Sequence, residues 1–203
     1  PRHFAGGQPL AMLAAETLKA KVGKGDVVLV LTGAGYAPAM PKGESDGPPG
    51  AASLAKILYK GLGAVPVYVC ETLHTDPIVA SSHAAGLMVK PLQEAKIGFG
   101  AALAEAPTKQ AEVDAWIVKL FDELQPKAVI ATEKVGVAFN GLVHNATGQP
   151  MTNPEEIGMV EITGLLAEAN KRGIYTIGIG DHGNEAGFGS IREAVERIMP
   201  KGD

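Results

Sequence analysis

The sequence predicts an α/β domain of three layers, αβα, around a mostly parallel sheet. Three observations carry this prediction. Near-continuous aliphatic runs, such as that within Asp26 to Thr32, suit strands buried on both faces. Helix-length amphipathic segments alternate with these runs, which is the pattern of βαβ units. Gly and Pro punctuate the joins.

The elements follow in order. Gln8 to Val22 places Leu10, Leu13, Ala14, Thr17 and Leu18 at helical spacing, and Gly23-Lys24-Gly25 ends that helix. Asp26 to Thr32 is the first strand, followed by a loop from Gly33 to Pro48. Pro49 to Leu62 is the next helix, with Pro near its start where a missing N–H costs nothing. Val65 to Glu71 is the second strand. Asp76-Pro77 is expected to cap a helix running to about Met88. Ile97 to Leu103 reads as a strand interrupted by Gly98 and Gly100. Lys109 to Leu124 is an amphipathic helix carrying Trp116, and Lys127 to Thr132 is a further strand. A long loop from Glu133 to Asn153 follows. Asn153-Pro154-Glu155-Glu156 then has the form of an N-cap, a Pro at the first helical position and a capping acid, opening a helix to Lys171. Ile174 to Ile179 is the last strand, and a helix from Ser190 to Met199 closes the chain after the Gly180 to Gly189 loop.

Residues 1–203 read as one domain, since no repeat, low-complexity tract or linker interrupts them. Hydrophobic residues make up 46% but aromatics only 5%, so the core must be mainly aliphatic. The net charge of -4, with no basic stretch, argues against nucleic acid as a partner. No segment has the length of a membrane span and no signal peptide is visible, so a cytoplasmic protein is expected. The chain opens with Pro1 rather than Met, which suits a processed or trimmed product. The single cysteine, Cys70, lies within an apolar run and reads as a core residue. A homodimer is compatible with a compact enzyme, although no residue marks an interface.

In an open parallel sheet, ligands bind beyond the carboxyl ends of the strands. Those ends are acidic here. Glu44 and Asp46 follow the first strand, Glu71 the second and Glu133 the Lys127 strand. Asp181 follows the last strand, with Asn184 and Glu185 close behind. Unpaired carboxylates raise one another's pKa, so several at one rim imply a bound cation or a cationic substrate group. An oxygen-rich set suits Mg²⁺, Mn²⁺ or Ca²⁺ better than zinc. Asp46 and Asp76, taken alone, are better explained as helix caps. Gly178 to Gly183 matches G-x-G-x-x-G, but it lacks a following βα unit and sets Asp181 where a pyrophosphate would approach. His182, beside Asp181, is the better candidate for proton transfer. His144 is a candidate for lining the site from the long loop. His74 and His83 read as surface or cap residues.

Asp46-Gly47-Pro48-Pro49-Gly50-Ala51 resembles a signature of the D-glutamate cyclase family, whose C-terminal domain the whole chain is similar to. Thr132-Glu133 through Asn140-Gly141 and Asn145-Ala146-x-Gly148 resembles a second stretch of that family. Gly180-Asp181-His182-Gly183-Asn184-Glu185-x-Gly187-x-Gly189 resembles its closing motif. Two positions depart from the pattern: Asn140 stands where Asp is expected, and His182 where Gly is expected. The resemblance implies a lyase converting D-glutamate to 5-oxo-D-proline and water, assisted by Mg²⁺ or Mn²⁺. Asp181, Glu185 and Glu133 would hold the ion. His182, Asp181 and Glu133 would be catalytic. Asp46, Asn140, His144, Asn145 and Asn184 would contact a small carboxylate substrate, with backbone N–H groups at Gly33 and Gly47 open to it. A metal-dependent phosphohydrolase and a non-catalytic module for a small anion remain the two other readings.

Overall fold

The computed structural model describes residues 6–35, 40–151, 156 and 158–198. Five strands form one all-parallel sheet: β1 (Val27–Gly33), β2 (Val65–Cys70), β3 (Ala102–Glu105), β4 (Ala128–Lys134) and β5 (Tyr175–Ile179). Their order is β3-β2-β1-β4-β5. Connections therefore run outward from β1 to one edge, then return to β4 and run to the other. The order reverses between β1 and β4, and a crevice opens at that point beyond the strand ends.

Alternation along β1 explains why the sheet needs helices on both sides. Val28 and Val30 join one apolar cluster, while Leu29 and Leu31 join the other. Successive strand side chains point to opposite faces, so a run with no polar position, such as Val27 to Leu31, is covered twice. The first cluster packs under α2 (Gly47–Ile57), its π-helical extension Leu58–Leu62, and α3 (Thr75–Ala84). The second lies under α4 (Leu92–Ile97), α5 (Gln110–Leu124) and α6 (Gly164–Lys171). In α5, Val113, Ile117, Leu120, Phe121 and Leu124 recur at the spacing of one helix face and are all buried. Two more helices, α1 (Leu10–Lys21) and α7 (Arg192–Ile198), complete the layers. Helix α1 buries no residue completely and touches the core through Leu18. Among the described residues no helix is long and apolar enough to cross a membrane.

The three-layer class, the strands and most helices stand where the sequence places them. Three segments differ. The run expected as a strand over Ile97 to Leu103 holds the end of α4, a break at Gly98 to Gly100, and only then β3. Helix α3 starts at Thr75, with Asp76 in its first turn rather than at its cap. The helix expected from Asn153 begins at Gly164, and the buried Met159, Val160 and Ile162 precede it in non-helical chain. The expected cap at Asn153 to Glu155 lies outside the described residues, as do Pro1, His3 and Met199.

Candidate functional site

Strand β4 carries an irregularity at the crevice. Leu31 pairs with Ala131, but Gly33 pairs with Lys134, so β4 has one more residue than β1 across that step. The extra residue bulges, and Glu133 takes a left-handed backbone with φ of 47°. A non-glycine side chain there is strained by about 1–2 kcal/mol, and such outliers concentrate at functional sites. The bulge aims Glu133 differently from its neighbour Lys134, which is fully buried.

Glu133 faces four other carboxylates. Its pKa is pushed up to about 7, first by burial and then by Glu185, Asp181, Asp46 and Glu44. Glu44 is also raised, by burial first and then by Asp46 and Asp181, with His182 opposing. Five acids from the ends of β1, β4 and β5 are thus near enough to act on one another's charge, and Glu71 is not among them. Glu44 belongs among them, although the motif resemblance passes over it; its place in the same acidic loop as Asp46 was the available signal.

The raised pKa of Glu133 has a thermodynamic sign. The folded protein holds its proton up to about pH 7, whereas the unfolded chain releases it near 4.5. Between these values the folded state binds more protons, so stability falls as pH rises through the window. We expect Glu133→Gln to raise the melting temperature at pH 8 and to change it little at pH 4. Thermal unfolding at the two pH values checks this, and an equal shift at both would disprove it.

Glu185 and its loop are built differently from the expectation of a free ligand. Its carboxylate is 7% exposed and accepts three backbone N–H groups: Asp181 at 3.0 Å, His182 at 3.0 Å and Gly183 at 2.7 Å. Gly180 makes room for it, since a Cβ there would sit 2.6 Å from the Glu185 carboxyl carbon. The loop is therefore folded around Glu185. Asp181 and His182 remain exposed and pair with each other through Oδ1 and Nδ1. The ligand atoms of Asp181, His182 and Glu185 all lie within 4.8 Å of one another. Glu133, expected as an ion ligand, stands outside that trio. Glu185→Ala should cost about 1–3 kcal/mol, because it strips a charged acceptor from three donors at once. Urea unfolding measures this; an unchanged midpoint would mean the loop folds without it.

The other expected residues fall into three places. Asp46 caps α2, its Oδ1 accepting the Gly47 N–H at 2.9 Å. That N–H is therefore not open to a substrate carboxylate, and the next two positions, Pro48 and Pro49, have none to offer. Gly33 packs its Cα against the His74 ring. Asn140 and Asn145 form turns: Asn140 Oδ1 accepts from the Leu142 N–H at 3.0 Å, and Asn145 Oδ1 accepts from Thr147 and Gln149. Asn184 ties the long loop down by donating to the His144 carbonyl at 3.0 Å. The long loop is not structureless, since Val137 bridges Val143 and His144 bridges Pro150 in antiparallel fashion. A cavity of about 550 Å³ opens between this hairpin, β5 and α7, and His144, Asn184 and Glu185 line it. That volume suits a small metabolite.

Two residues read from sequence as rim or surface are neither. Glu71 is 1% exposed and His74 is 1% exposed. Glu71 Oε1 accepts from Lys134 Nζ at 2.5 Å, and Glu71 Oε2 lies 3.1 Å from His74 Nδ1. Burial opposes ionisation of Glu71, but Lys134 and His74 outweigh it and hold its pKa below the ordinary value. His83 is exposed, as expected, and accepts from the Val89 N–H at 3.3 Å. Cys70 is fully buried and burial pushes its thiol up to about 12, as suits a core residue.

Residues 7–203 match the family described as D-glutamate cyclase-like, C-terminal. The human protein "D-glutamate cyclase, mitochondrial" is 30% identical over 169 residues, covering 80% of this chain. The chain spans 25% of the length of that relative.

Proposed function

We propose a function from one premise: the chain belongs to the D-glutamate cyclase-like, C-terminal family. Its reaction, on this reading, is the cyclisation of D-glutamate to 5-oxo-D-proline with loss of water. The observation that carries the proposal is the convergence of five carboxylates on the crevice, with Glu133 held near neutrality at a bulge.

The chemistry asks for three things. The α-amine must lose a proton before it is nucleophilic. Its nitrogen must then bond to the γ-carboxyl carbon, and a C–O bond of that carboxyl must break. Glu133 is suited to the first task, since a base with pKa of about 7 is half available at neutral pH. Two protons leave the nitrogen in all, the first from the ammonium to Glu133 and the second once the C–N bond has formed, and both pass to the departing oxygen, which leaves as water. The negative rim attracts the ammonium to Glu133. Folding the substrate so that its ends meet replaces an encounter by an intramolecular step, worth as much as about 7–11 kcal/mol.

A carboxylate is a poor electrophile, and the rim repels it. A divalent cation, when bound, would supply the missing charge and polarise the γ-carboxyl. The residues fit such an ion: Asp181 and His182 are exposed donors beside Glu185, and the excess of carboxylates is relieved by positive charge. The two carboxylates suit Mn²⁺ or Mg²⁺, and the imidazole weighs against Mg²⁺ and towards a transition metal. His182 would hold the ion together with Asp181 rather than act alone as the proton carrier.

The test is formation of 5-oxoproline from D-glutamate, with L-glutamate as control, with and without Mn²⁺. Asp181→Ala should abolish turnover while leaving the melting temperature within a few degrees, because Asp181 is 68% exposed. Full activity in that variant would remove Asp181 from the site. Phosphate released from a generic ester, with no 5-oxoproline formed, would move the protein to the hydrolase reading.

A further inference from the structure

Lys134, Glu71 and His74 form a buried chain that crosses three strand ends. Lys134 belongs to β4 and Glu71 follows β2, with β1 between them. Lys134 Nζ reaches Glu71 Oε1 at 2.5 Å, and both side chains are about 2% exposed or less. The crossing is feasible because β1 ends in Gly33. A Cβ at Gly33 would lie 2.7 Å from His74 Cγ, inside any allowed contact. Two further glycines enclose the same ring: a Cβ at Gly35 would meet Nε2 at 2.9 Å, and one at Gly43 would meet Cδ2 at 2.9 Å.

Stability does not account for this arrangement. An ion pair taken fully out of water is often no better for the fold than an apolar pair of the same volume. His74 Nε2 adds to the cost, being buried with no hydrogen-bond partner among the described residues. Position does account for it. Lys134 is joined directly to Glu133, the one described non-glycine residue of the sheet with a left-handed backbone. His74 braces the glycine loop, in which the Glu44 N–H donates to the Ala34 carbonyl at 2.7 Å. One end of the chain thus bears on Glu133 and the other on Glu44, the two acids whose pKa the rim raises.

We infer that the Lys134–Glu71–His74 chain is a positioning device, in which the Lys134 anchor holds the bulge that presents Glu133 and the His74 ring holds the loop that presents Glu44. The inference rests on reading those two acids as site residues. It requires no turnover to be tested.

The double variant Glu71→Leu/Lys134→Met removes both charges and keeps an apolar pair in their place. It should melt at or above the parent temperature. In that folded protein, the φ-dependent HN–Hα coupling and Cα shift of Glu133 should move to extended-strand values. Left-handed values retained in the folded double variant would overturn the inference. A double variant that does not fold would overturn it too, since the network would then serve the whole fold. His74→Gln tests the other arm. It should speed exchange of the Glu44 amide about tenfold, the loss expected when one supported hydrogen bond weakens, with the Glu133 coupling unchanged. Unaltered exchange at Glu44 would show that the ring braces nothing. These readouts are independent of D-glutamate, so an inactive parent protein would count against the proposed reaction alone.

Discussion

If D-glutamate is the substrate as proposed, replacing Glu133 by Gln should lower turnover by about 10²- to 10⁴-fold, the range that removal of a positioned general base produces. The amide keeps the size of the side chain and removes only its ability to hold a proton. The left-handed backbone at residue 133 and the buried Lys134 beside it are untouched, so the loss is chemical and not structural. The parent's pH profile should show a limb near pH 7, rising as Glu133 ionises. A bound cation would depress that limb, because positive charge beside the rim favours the ionised acid. Turnover and KM measured from pH 5 to 9 decide the matter. A variant that keeps within threefold of the parent kcat would exclude Glu133 as the base.

Lys134→Met alone lowers stability by about 3–5 kcal/mol, which for a domain near this size is a fall in Tm of roughly 6–20 °C. The size comes from what is left behind. Glu71 would be left 1% exposed, with only His74 to answer its charge. The effect has a pH sign. In the parent, Glu71 has a depressed pKa, so its contribution to stability is complete above its unfolded value and fades as pH falls through the folded one. In the variant that depression is gone. Its deficit should therefore be large at pH 7 and shrink in acid, where Glu71 takes up a proton in both proteins. Denaturant titrations at pH 7 and pH 4 measure the difference. The contrast with the double variant, which removes both charges, separates the cost of an orphaned ion from the worth of the pair.

The contrast between these two predictions also shows what a sequence can carry. Strand β1 was legible because a run such as Val27 to Leu31 has no polar position, and only burial on both faces explains that. Helix α5 was legible through its spacing of buried residues. The short α4 was not, because Leu92 to Ile97 is too short for periodicity to register and ends in glycines that mimic a broken strand. Among site residues, Asp181, Glu185 and Glu133 were visible as acids following apolar runs. The task of Glu185 was hidden, since nothing local distinguishes an acid that binds an ion from one that gathers three backbone donors. Glu71, His74 and Lys134 were hidden more deeply. Their partnership joins residues 63 positions apart and depends on strand order. The same holds for the bulge, which exists only as a mismatch between paired strands.

Helix α2 begins with Gly47, Pro48 and Pro49, and Asp46 already engages the first of these. Open α/β sheets commonly use this helix end to cradle phosphate, because its free N–H groups point at the ligand. Here that end is stopped: one donor is taken, two are missing, and a carboxylate guards the entrance. The two prolines thus withhold the usual phosphate seat, and inorganic phosphate should be a poor competitor at the crevice.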